Sequence, residues 1–441
     1  MEAAQLHCEE ILRHLPGRRL VVRASYRGAI YAVKLFFGAH AQRYFNREIQ
    51  GLKMLQRDGV SAPEIMAELT LTSDAPAVGY GVATRWLADA LPVAEDDQAA
   101  AAQIARGLGR LHAHGALRTD ANLRNYLRGS EGTIYAIDGD GVRSRGKVSR
   151  GRGLTNLALM MAEFPPRADV GLAAACEAYA QERWRQPAGP SLLAVVRRRL
   201  ARQRNLRTGR YLRKTLRECT EFHCQRGGGR LVACSRPAWE QQMQEFVADP
   251  ETTFAAGTVV KAGNSATVIR TQLDGRRVVI KRYNVKTPWH GVRRSLRWTP
   301  RYRVSWRNGH RMDFLRLRTA RPIALLEVKR GMFNTVAYLV MEDAGERDLE
   351  SVVASEGVSA LLLDQVVGVF RGLRAAGLVH GDTKASNFLL TDDGICLVDL
   401  DAMRPGRDLR KDARRFLGNW DHVPAVRARF ADALQADGMP L

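Results

Sequence analysis

The segment GLVHGDTKASNFLL, residues 377–390, places a His, an Asp, a Lys and an Asn within eight residues and between apolar flanks. Polar side chains beside a buried strand cost free energy unless each one is paired, so packing alone does not account for them. These residue types move protons, bind phosphate and hold hard metal ions. The segment therefore predicts a functional loop.

A second segment, ALRTDANLRNYL at residues 116–127, resembles a degenerate copy of that loop. When the two segments are superposed without a gap, Asp120 aligns with Asp382 and Asn125 aligns with Asn387. A repeated spacing of this kind indicates an internal duplication or a fusion of two related domains.

The sequences around the two loops also correspond. Apolar residues recur at steps of three and four in residues 97–115 and 361–377, and each segment ends on Gly, which predicts a helix before each loop. A strand-like segment with an Asp-x-Asp pair follows each loop: TIYAIDGDGV (133–142) carries Asp138, and GICLVDLDAM (394–403) carries Asp399.

Each half opens with predicted β-hairpins. Residues 18–37 alternate in polarity and predict a hairpin that includes Lys34. Residues 257–284 predict three strands, with a strong hairpin signal at Asp274-Gly275, and the third strand carries Lys281. We therefore predict an α+β chain with one domain at 1–240, including a basic helical connector near 190–240, and a second domain at 241–441.

The ordered set in the C-terminal half matches the needs of phosphoryl transfer. Lys281 is predicted to bind the α- and β-phosphates of ATP, and Asp382 to orient an acceptor hydroxyl and accept its proton. Asn387 and Asp399 are predicted to hold Mg²⁺, which prefers oxygen ligands. For each residue alone a structural role is the simpler interpretation, but the ordered set occurs twice.

Further candidates lie close to this set. Lys384 is predicted to contact the transferred phosphoryl group. In VKAGNSATVI (260–269), Gly263, Asn264 and Ser265 are predicted to cover the nucleotide phosphates with backbone N–H groups. That loop has a single Gly, so it is a weak signal by itself.

The motifs HGDTKASN and LVDLD resemble those of kinase-fold sugar kinases. With SWRNGHRMDFLRLRTARPIALLE (305–327) and AYLVMED (337–343), the sequence resembles the lipopolysaccharide core kinases of the Kdo/heptose kinase family. The resemblance covers residues 245–420 and recurs more weakly over 18–165. It implies tandem protein-kinase-like domains, each with a small antiparallel β lobe and a larger helical lobe, that use ATP and Mg²⁺ to phosphorylate an inner-core sugar.

The resemblance also implies an acidic helix partner for each strand Lys. In the N-terminal half, Glu48 fits that role against Lys34, whereas the corresponding C-terminal helix offers only Asp313, so the partner of Lys281 stays open. The N-terminal candidates are Lys34 and Glu48 for the nucleotide, Asp120 for catalysis, and Asn125 and Asp138 for the metal. Both halves, only the C-terminal half, or only the N-terminal half can be active; the more complete loop favours the C-terminal half.

Charge is the strongest compositional feature of the 441 residues, which carry 68 Lys and Arg against 46 Asp and Glu, a net charge of +22. Residues 281–311 contain ten Lys or Arg, no acid, and the interspersed Trp289, Trp298 and Trp306. Arg and Trp together favour an anionic membrane surface or an anionic glycolipid such as the lipopolysaccharide core. Nucleic acid is the weaker alternative, because no RNP-like, KH-like or zinc-finger motif is present.

The first residues contain no apolar stretch typical of a signal peptide, and no run of about 18 apolar residues occurs. We expect a cytoplasmic protein, with peripheral attachment to the inner membrane. Two alternatives to a lipopolysaccharide kinase remain: a kinase for a protein or another small molecule, and a pseudokinase-type adaptor that binds anionic glycolipid without catalysis.

Overall fold

The structure is a computed structural model that describes residues 6–71, 79–263, 265–284, 299–330 and 334–441. It divides into two compact units, Met1–Arg204 and Asn205–Leu441. Each unit combines helices with antiparallel sheets, which confirms the α+β class.

The N-terminal unit contains a five-stranded antiparallel sheet with the order β1-β2-β3-β5-β4. Its strands are β1 His7–Leu15, β2 Arg19–Tyr26, β3 Ala29–Phe36, β4 Ile65–Leu71 and β5 Gly79–Arg85. The predicted hairpin is confirmed: Arg27 and Gly28 both have positive φ angles, 48° and 78°, as a tight two-residue turn between twisted strands requires. Lys34 lies on β3, in the middle of this sheet.

The helices of this unit are α1 Ala41–Arg57, α2 Gln98–Ala113, α3 Arg150–Met161, α4 Leu172–Trp184 and α5 Pro190–Lys214, the last of which crosses the boundary between the units. Short strands lie among them: β6 Leu91–Pro92, β7 Ala116–Arg118, β8 Tyr126–Arg128, β9 Ile134–Ala136 and β10 Val142–Ser144. Helix α2 begins at Asp97, whose side chain accepts a hydrogen bond from the backbone N–H of Ala100. Its buried residues join Tyr179 of α4 in one apolar core.

The C-terminal unit is built on a seven-stranded antiparallel sheet with the order β11-β12-β16-β17-β15-β14-β13. Its strands are β11 Phe222–Gly227, β12 Arg230–Ser235, β13 Thr258–Ala262, β14 Ala266–Leu273, β15 Arg276–Tyr283, β16 Pro322–Arg330 and β17 Asn334–Glu342. The three predicted strands within 257–284 are confirmed, and Asp274 and Gly275 both have positive φ angles at the predicted turn.

The boundary between the units lies earlier than the predicted position near residue 240. Strand β12 pairs with β16, with Val232 opposite Leu326, so the β11–β12 hairpin belongs to the C-terminal sheet. The predicted helical connector ends at Lys214, and the glycines of RGGGR (226–230) form the tip of this hairpin. The prediction missed it because the partner strand is far away in the sequence.

Both faces of the C-terminal sheet are covered. Along β17, Val336, Tyr338 and Val340 enter one apolar cluster, and the alternating Ala337 and Leu339 enter another, as the period of two in a strand requires. The covering helices are α6 Gln241–Ala248 and α7 Pro250–Ala256 on the first face and α8 Arg301–Phe314 on the second.

The remaining residues of this unit form a helical lobe. Its helices are α9 Leu349–Glu356, α10 Ala360–Ala376, α11 Arg410–Leu417 and α12 Pro424–Ala436, with short strands β18 Leu378–Val379, β19 Phe388–Thr391, β20 Gly394–Leu397 and β21 Arg404–Pro405. Phe370, Phe388 and Phe416 pack together in the core of this lobe, where truncation of a Phe to Ala costs about 3–5 kcal/mol. Helix α10 ends at Gly377, in the left-handed conformation, which directs the chain into the polar loop.

Candidate active sites

A cavity of about 660 Å³ lies in the C-terminal unit, between the sheet and the segments that follow helix α10. It brings together predicted residues from three separate parts of the sequence: Gly263, Ser265, Lys281, Asn387 and Asp399. The candidate Asn264 lies outside the described residues. The predicted role of the Gly263 N–H is not supported, because this group donates to the Ala266 carbonyl at 3.1 Å. The cavity can present an ammonium group, the Ser265 backbone, and carboxylate and amide oxygens to one ligand.

Lys281 is buried on β15 and points at two carboxylates. Its Nζ lies 2.7 Å from Asp399 Oδ1 and 3.1 Å from Asp401 Oδ2. Burial alone lowers the pKa of Lys281, but interactions with Tyr283, Asp401 and Asp399 outweigh it and raise the pKa. The side chain is therefore a fixed cation at one wall of the cavity.

Asp399 follows β20 in a left-handed conformation, with φ 58°, which is uncommon for a residue with a side chain. Burial raises the pKa of Asp399, but Lys281 and its hydrogen bond lower it more strongly, so the net pKa lies below the usual range. Its carboxylate is 35% exposed, in contrast to 6% for Asp401. Asp399 is thus an ionised oxygen donor with access to the cavity.

The loop that holds Asp382 is fixed from beneath by Asp412 of helix α11. The backbone N–H groups of His380 and Gly381 donate to the Asp412 carboxylate at 2.7 and 2.9 Å, and Thr383 Oγ1 donates to its carbonyl at 2.6 Å. The buried His380 contacts the Val398 carbonyl through Nε2 at 3.1 Å. These bonds hold the loop against the segment that leads to Asp399.

The two predicted catalytic residues of this loop lie beside the cavity rather than on its lining. Asp382 is 3.6 Å from the Lys384 Nζ and 3.7 Å from the Arg415 Nε. Asn387, which does line the cavity, donates from Nδ2 to the Asp382 carbonyl at 2.8 Å. The loop thus connects Asp382 directly to one wall of the cavity.

Asp313, the acidic helix residue weighed as a partner for Lys281, faces other charges. Burial raises the pKa of Asp313, and the cations that act on it are Arg321 and Arg316. The carboxylates that contact Lys281 are Asp399 and Asp401. Sequence reasoning does not identify Asp401 as this partner, because the Asp-x-Asp pair suggests a metal-binding role and not a contact with Lys281.

The donor atoms around the cavity suit a metal ion that arrives with a nucleotide. Within the ranges that the structure covers, no group of three or more His, Cys, Asp or Glu side chains is arranged to hold an ion. Mg²⁺ in phosphoryl-transfer sites is held by one or two protein carboxylates together with substrate phosphates. Asn387 and Asp399 supply an amide and a carboxylate of this kind at the cavity wall.

The structure also brings together the N-terminal candidates. Lys34 Nζ donates to Glu48 Oε1 at 2.6 Å and lies 3.4 Å from Asp138 Oδ1. Glu48 is fully buried and accepts hydrogen bonds from the backbone N–H groups of Gly139 and Asp140 at 3.2 and 3.0 Å. Burial lowers the pKa of Lys34, but the ion pairs with Glu48 and Asp138 raise it by more than burial lowers it. The net pKa lies above the usual value for Lys, so the side chain stays charged.

Asp120 and Asn125 form the second part of this N-terminal group. Asn125 Nδ2 donates to Asp120 Oδ2 at 3.1 Å. Arg118, which occupies the position of His380, is buried over the Tyr126 ring and donates to the Asp138 carbonyl at 3.1 Å. A cation therefore replaces the imidazole behind the loop. The Asn contact also differs, because Asn125 donates to the Asp120 side chain whereas Asn387 donates to the Asp382 carbonyl.

The basic segment 281–311 is described only in part. Trp289 and Trp298 lie outside the described residues. Trp306 is fully buried in α8 and donates from Nε1 to Thr215 Oγ1 at 3.0 Å. The expectation that Trp306 belongs to a surface patch is therefore wrong: the side chain belongs to the core beneath the sheet.

Comparison with known proteins finds a family match for part of the chain. Residues 252–417 match the model of the lipopolysaccharide kinase (Kdo/WaaP) family, and no curated protein matches the chain. The matched residues begin in α7, include Lys281, Asp382, Asn387 and Asp399, and end with α11. The N-terminal unit lies outside the match, so a tandem duplication stays a prediction. Residues 252–417, which contain the cavity and its lysine, are therefore similar to the lipopolysaccharide kinase family.

Proposed function

We propose that the C-terminal unit transfers the γ-phosphoryl group of ATP, with Mg²⁺, to a hydroxyl of a lipopolysaccharide inner-core sugar, a heptose or Kdo. The single observation that carries this proposal is the meeting of Lys281, Asn387 and Asp399 at one 660 Å³ cavity. The family match of residues 252–417 supports the acceptor class.

In the proposed reaction, Lys281 binds the α- and β-phosphates, and Ser265 offers its backbone N–H group to the phosphate chain. Asn387 and Asp399 would hold Mg²⁺, which supplies charge neutralisation at the transferred group. Since the protein makes no covalent bond, fixed charges and correct placement supply most of the rate enhancement.

Asp382 orients the acceptor hydroxyl and accepts its proton as the oxygen attacks the γ-phosphorus. Its carboxylate is partly exposed and has Lys384 and Arg415 at 3.6 and 3.7 Å. These cations can contact the phosphoryl group during transfer. The loop beneath is held by Asp412, so the carboxylate needs little reorganisation when the acceptor binds.

The surface around Asp382 supports an anionic acceptor. Besides Lys384 and Arg415, the loop after Asp399 and helix α11 carry further exposed cations: Arg404, Arg407, Arg410, Lys411 and Arg414. Of these, Arg410 is paired with Asp408. Lys384 and Arg415 lie beside Asp382 itself, and positive charge at this position raises the local concentration of an anionic glycolipid.

The same positive charge supports a location at a membrane surface. No helix among the described residues has both the length and the apolar character needed to cross a bilayer. We propose peripheral association with the anionic inner-membrane surface from the cytoplasmic side, where each basic residue near anionic lipid contributes about 1 kcal/mol.

A second nucleotide site in the N-terminal unit is a separate proposal. The observation that favours it is the Lys34–Glu48 ion pair at 2.6 Å, next to Asp138. Lys34 and Glu48 would bind ATP, Asn125 and Asp138 would hold Mg²⁺, and Asp120 would act as the base. Mass spectrometry of core oligosaccharide from cells that carry Asp120→Asn or Asp382→Asn tests this: loss of a phosphate in only one variant identifies the active unit.

The test of the main proposal measures ATP consumption by the purified chain with core oligosaccharide as acceptor. We expect ATP consumption to need both Mg²⁺ and the oligosaccharide, and to fall at least about a hundredfold in Asp382→Asn. Asp432→Asn, at an exposed position on α12, is the matched control and should retain full activity. A pseudokinase adaptor would instead bind glycolipid without consuming ATP, and Asp382→Asn would leave that binding unchanged.

A further inference from the structure

The two units differ in the acidic residue that pairs with the strand lysine, Lys34 in one unit and Lys281 in the other. In the N-terminal unit, the strand Lys34 is held by Glu48, which lies on helix α1. Helix α8, which packs on the C-terminal sheet, contains no Glu, and its one acid, Asp313, interacts with Arg321 and Arg316. Some other group must therefore fix the direction of the Lys281 side chain.

Asp401 has the contacts that this role requires. Its Oδ2 lies 3.1 Å from the Lys281 Nζ and 2.7 Å from the Arg301 Nη2, and its Oδ1 accepts a hydrogen bond from the Tyr283 hydroxyl at 2.8 Å. The Asp401 side chain is only 6% exposed. A buried carboxylate with three donors has one stable orientation, so it can hold an ammonium group in place.

Asp399 cannot provide the same support during the proposed reaction. It is the more exposed carboxylate of the pair, at 35%, and it lines the cavity, where the proposed function requires it for Mg²⁺. A carboxylate that holds a divalent cation shares its charge between that cation and Lys281, so it would hold Lys281 less firmly. Asp401 does not line the cavity, so a ligand bound there would leave its contact with Lys281 in place.

We propose that Asp401 is the positioning residue that holds Lys281 toward the nucleotide phosphates, and that Arg301 ties helix α8 to the same carboxylate. This inference rests on the proposed function. The counter-charge comes from the turn Leu400–Ala402, after β20, rather than from the helix, whose buried Ser305 is hydrogen-bonded to Tyr283. Movement of α8 would break the contact between Arg301 and Asp401. The position of the helix and the affinity for the nucleotide are therefore coupled.

The test compares nucleotide affinity, by calorimetry with the non-hydrolysable ATP analogue AMP-PNP and Mg²⁺, with the KM for ATP and with kcat. For Asp401→Asn we expect about tenfold weaker binding of AMP-PNP and a similar rise in the KM for ATP, with a smaller change in kcat. Asp401→Glu should recover part of the affinity, and Asp313→Asn should stay within about twofold of the wild type.

Tyr283→Phe provides a variant of nearly unchanged shape, which removes one hydrogen bond from Asp401 and should weaken AMP-PNP binding a few-fold. If Asp401→Asn does not fold, Tyr283→Phe tests the role of Asp401 in its place. Wild-type affinity in Asp401→Asn or in Tyr283→Phe would overturn the inference, as would an equal loss in Asp313→Asn. A wild-type chain that binds no AMP-PNP would instead overturn the proposed function.

Discussion

The Lys281 ammonium lies 2.7 Å from a carboxylate oxygen of Asp399, although 118 residues separate them in the sequence. Lys281 comes from strand β15 of the C-terminal sheet, and Asp399 follows the polar loop of the helical lobe. Folding has thus placed the phosphate-binding candidate and the metal-binding candidate at the same cavity, and the predictions below depend on this contact.

Lys281→Met is expected to lower kcat/KM for ATP at least about a hundredfold, because it removes the cation that would bind the nucleotide phosphates. The measurement is steady-state kinetics with core oligosaccharide as acceptor. Lys329→Met is the matched control, since Lys329 is exposed on strand β16 of the same sheet, and it should retain activity. Equal losses in both variants would show that the effect is a general loss of charge.

Asp399→Asn should raise the Mg²⁺ concentration for half-maximal activity by about tenfold or more, because a neutral amide is a weaker ligand for a hard cation than a carboxylate. The measurement is a Mg²⁺ titration of activity at saturating ATP, after the metal has been removed with a chelator. An unchanged Mg²⁺ requirement would contradict the assignment of Asp399 as a metal ligand.

Gly51→Ala should disrupt the N-terminal site. A Cβ at Gly51 would lie 1.9 Å from the Gly139 carbonyl oxygen, so helix α1 would have to move away from the loop whose N–H groups bind Glu48. We expect a lower thermal midpoint and weaker nucleotide binding by this unit. Gly151→Ala is the control, because its nearest neighbour would be 3.9 Å away and Ala favours a helix; a similar loss there would contradict the packing argument.

The stability of the N-terminal unit should depend on His112. This fully buried imidazole contacts the Tyr179 hydroxyl at 2.8 Å and Asn156 Oδ1 at 3.0 Å, and burial lowers its pKa to about 4. Between pH 6.5 and pH 4 the unfolded state binds the extra proton, so the free energy of unfolding falls as the pH falls through this window. At pH 5 the loss amounts to about 2 kcal/mol.

Thermal unfolding of the wild type and His112→Gln, followed from pH 7.5 to pH 5, checks this prediction. The variant should be less stable at neutral pH, because it disturbs two buried hydrogen bonds, but its midpoint should fall less as the pH falls. Parallel pH curves for the two proteins would show that His112 stays neutral in the unfolded state or is charged in the folded state.

Local sequence signals were sufficient to predict several elements of this fold. The hairpins at Arg27-Gly28 and Asp274-Gly275 follow from residues that accept positive φ angles next to alternating strands. Helix α10 and its end at Gly377 follow from apolar periodicity and a terminal glycine. In these cases the interactions that determine the structure lie within a few residues of each other.

Long-range features escaped prediction for a common reason. The β11–β12 hairpin belongs to the C-terminal sheet because β12 pairs with β16, which lies about 90 residues later in the sequence. Trp306 lies in a strongly basic segment, yet its place on the inner face of α8 and its bond to Thr215 decide its burial. The choice of Asp401 over Asp313 as a partner of Lys281 likewise depends on which face of α8 meets the strand.

The most direct measurement of the central claim uses ATP labelled with ¹⁸O at the γ-phosphate, incubated with Mg²⁺, core oligosaccharide and the purified chain. Mass spectrometry of the oligosaccharide should show addition of one labelled phosphoryl group by the wild type and by Asp432→Asn, and none by Asp382→Asn. An oligosaccharide that gains no label, or one that Asp382→Asn labels as fast as the wild type, would contradict the assignment of this cavity as the site of phosphoryl transfer.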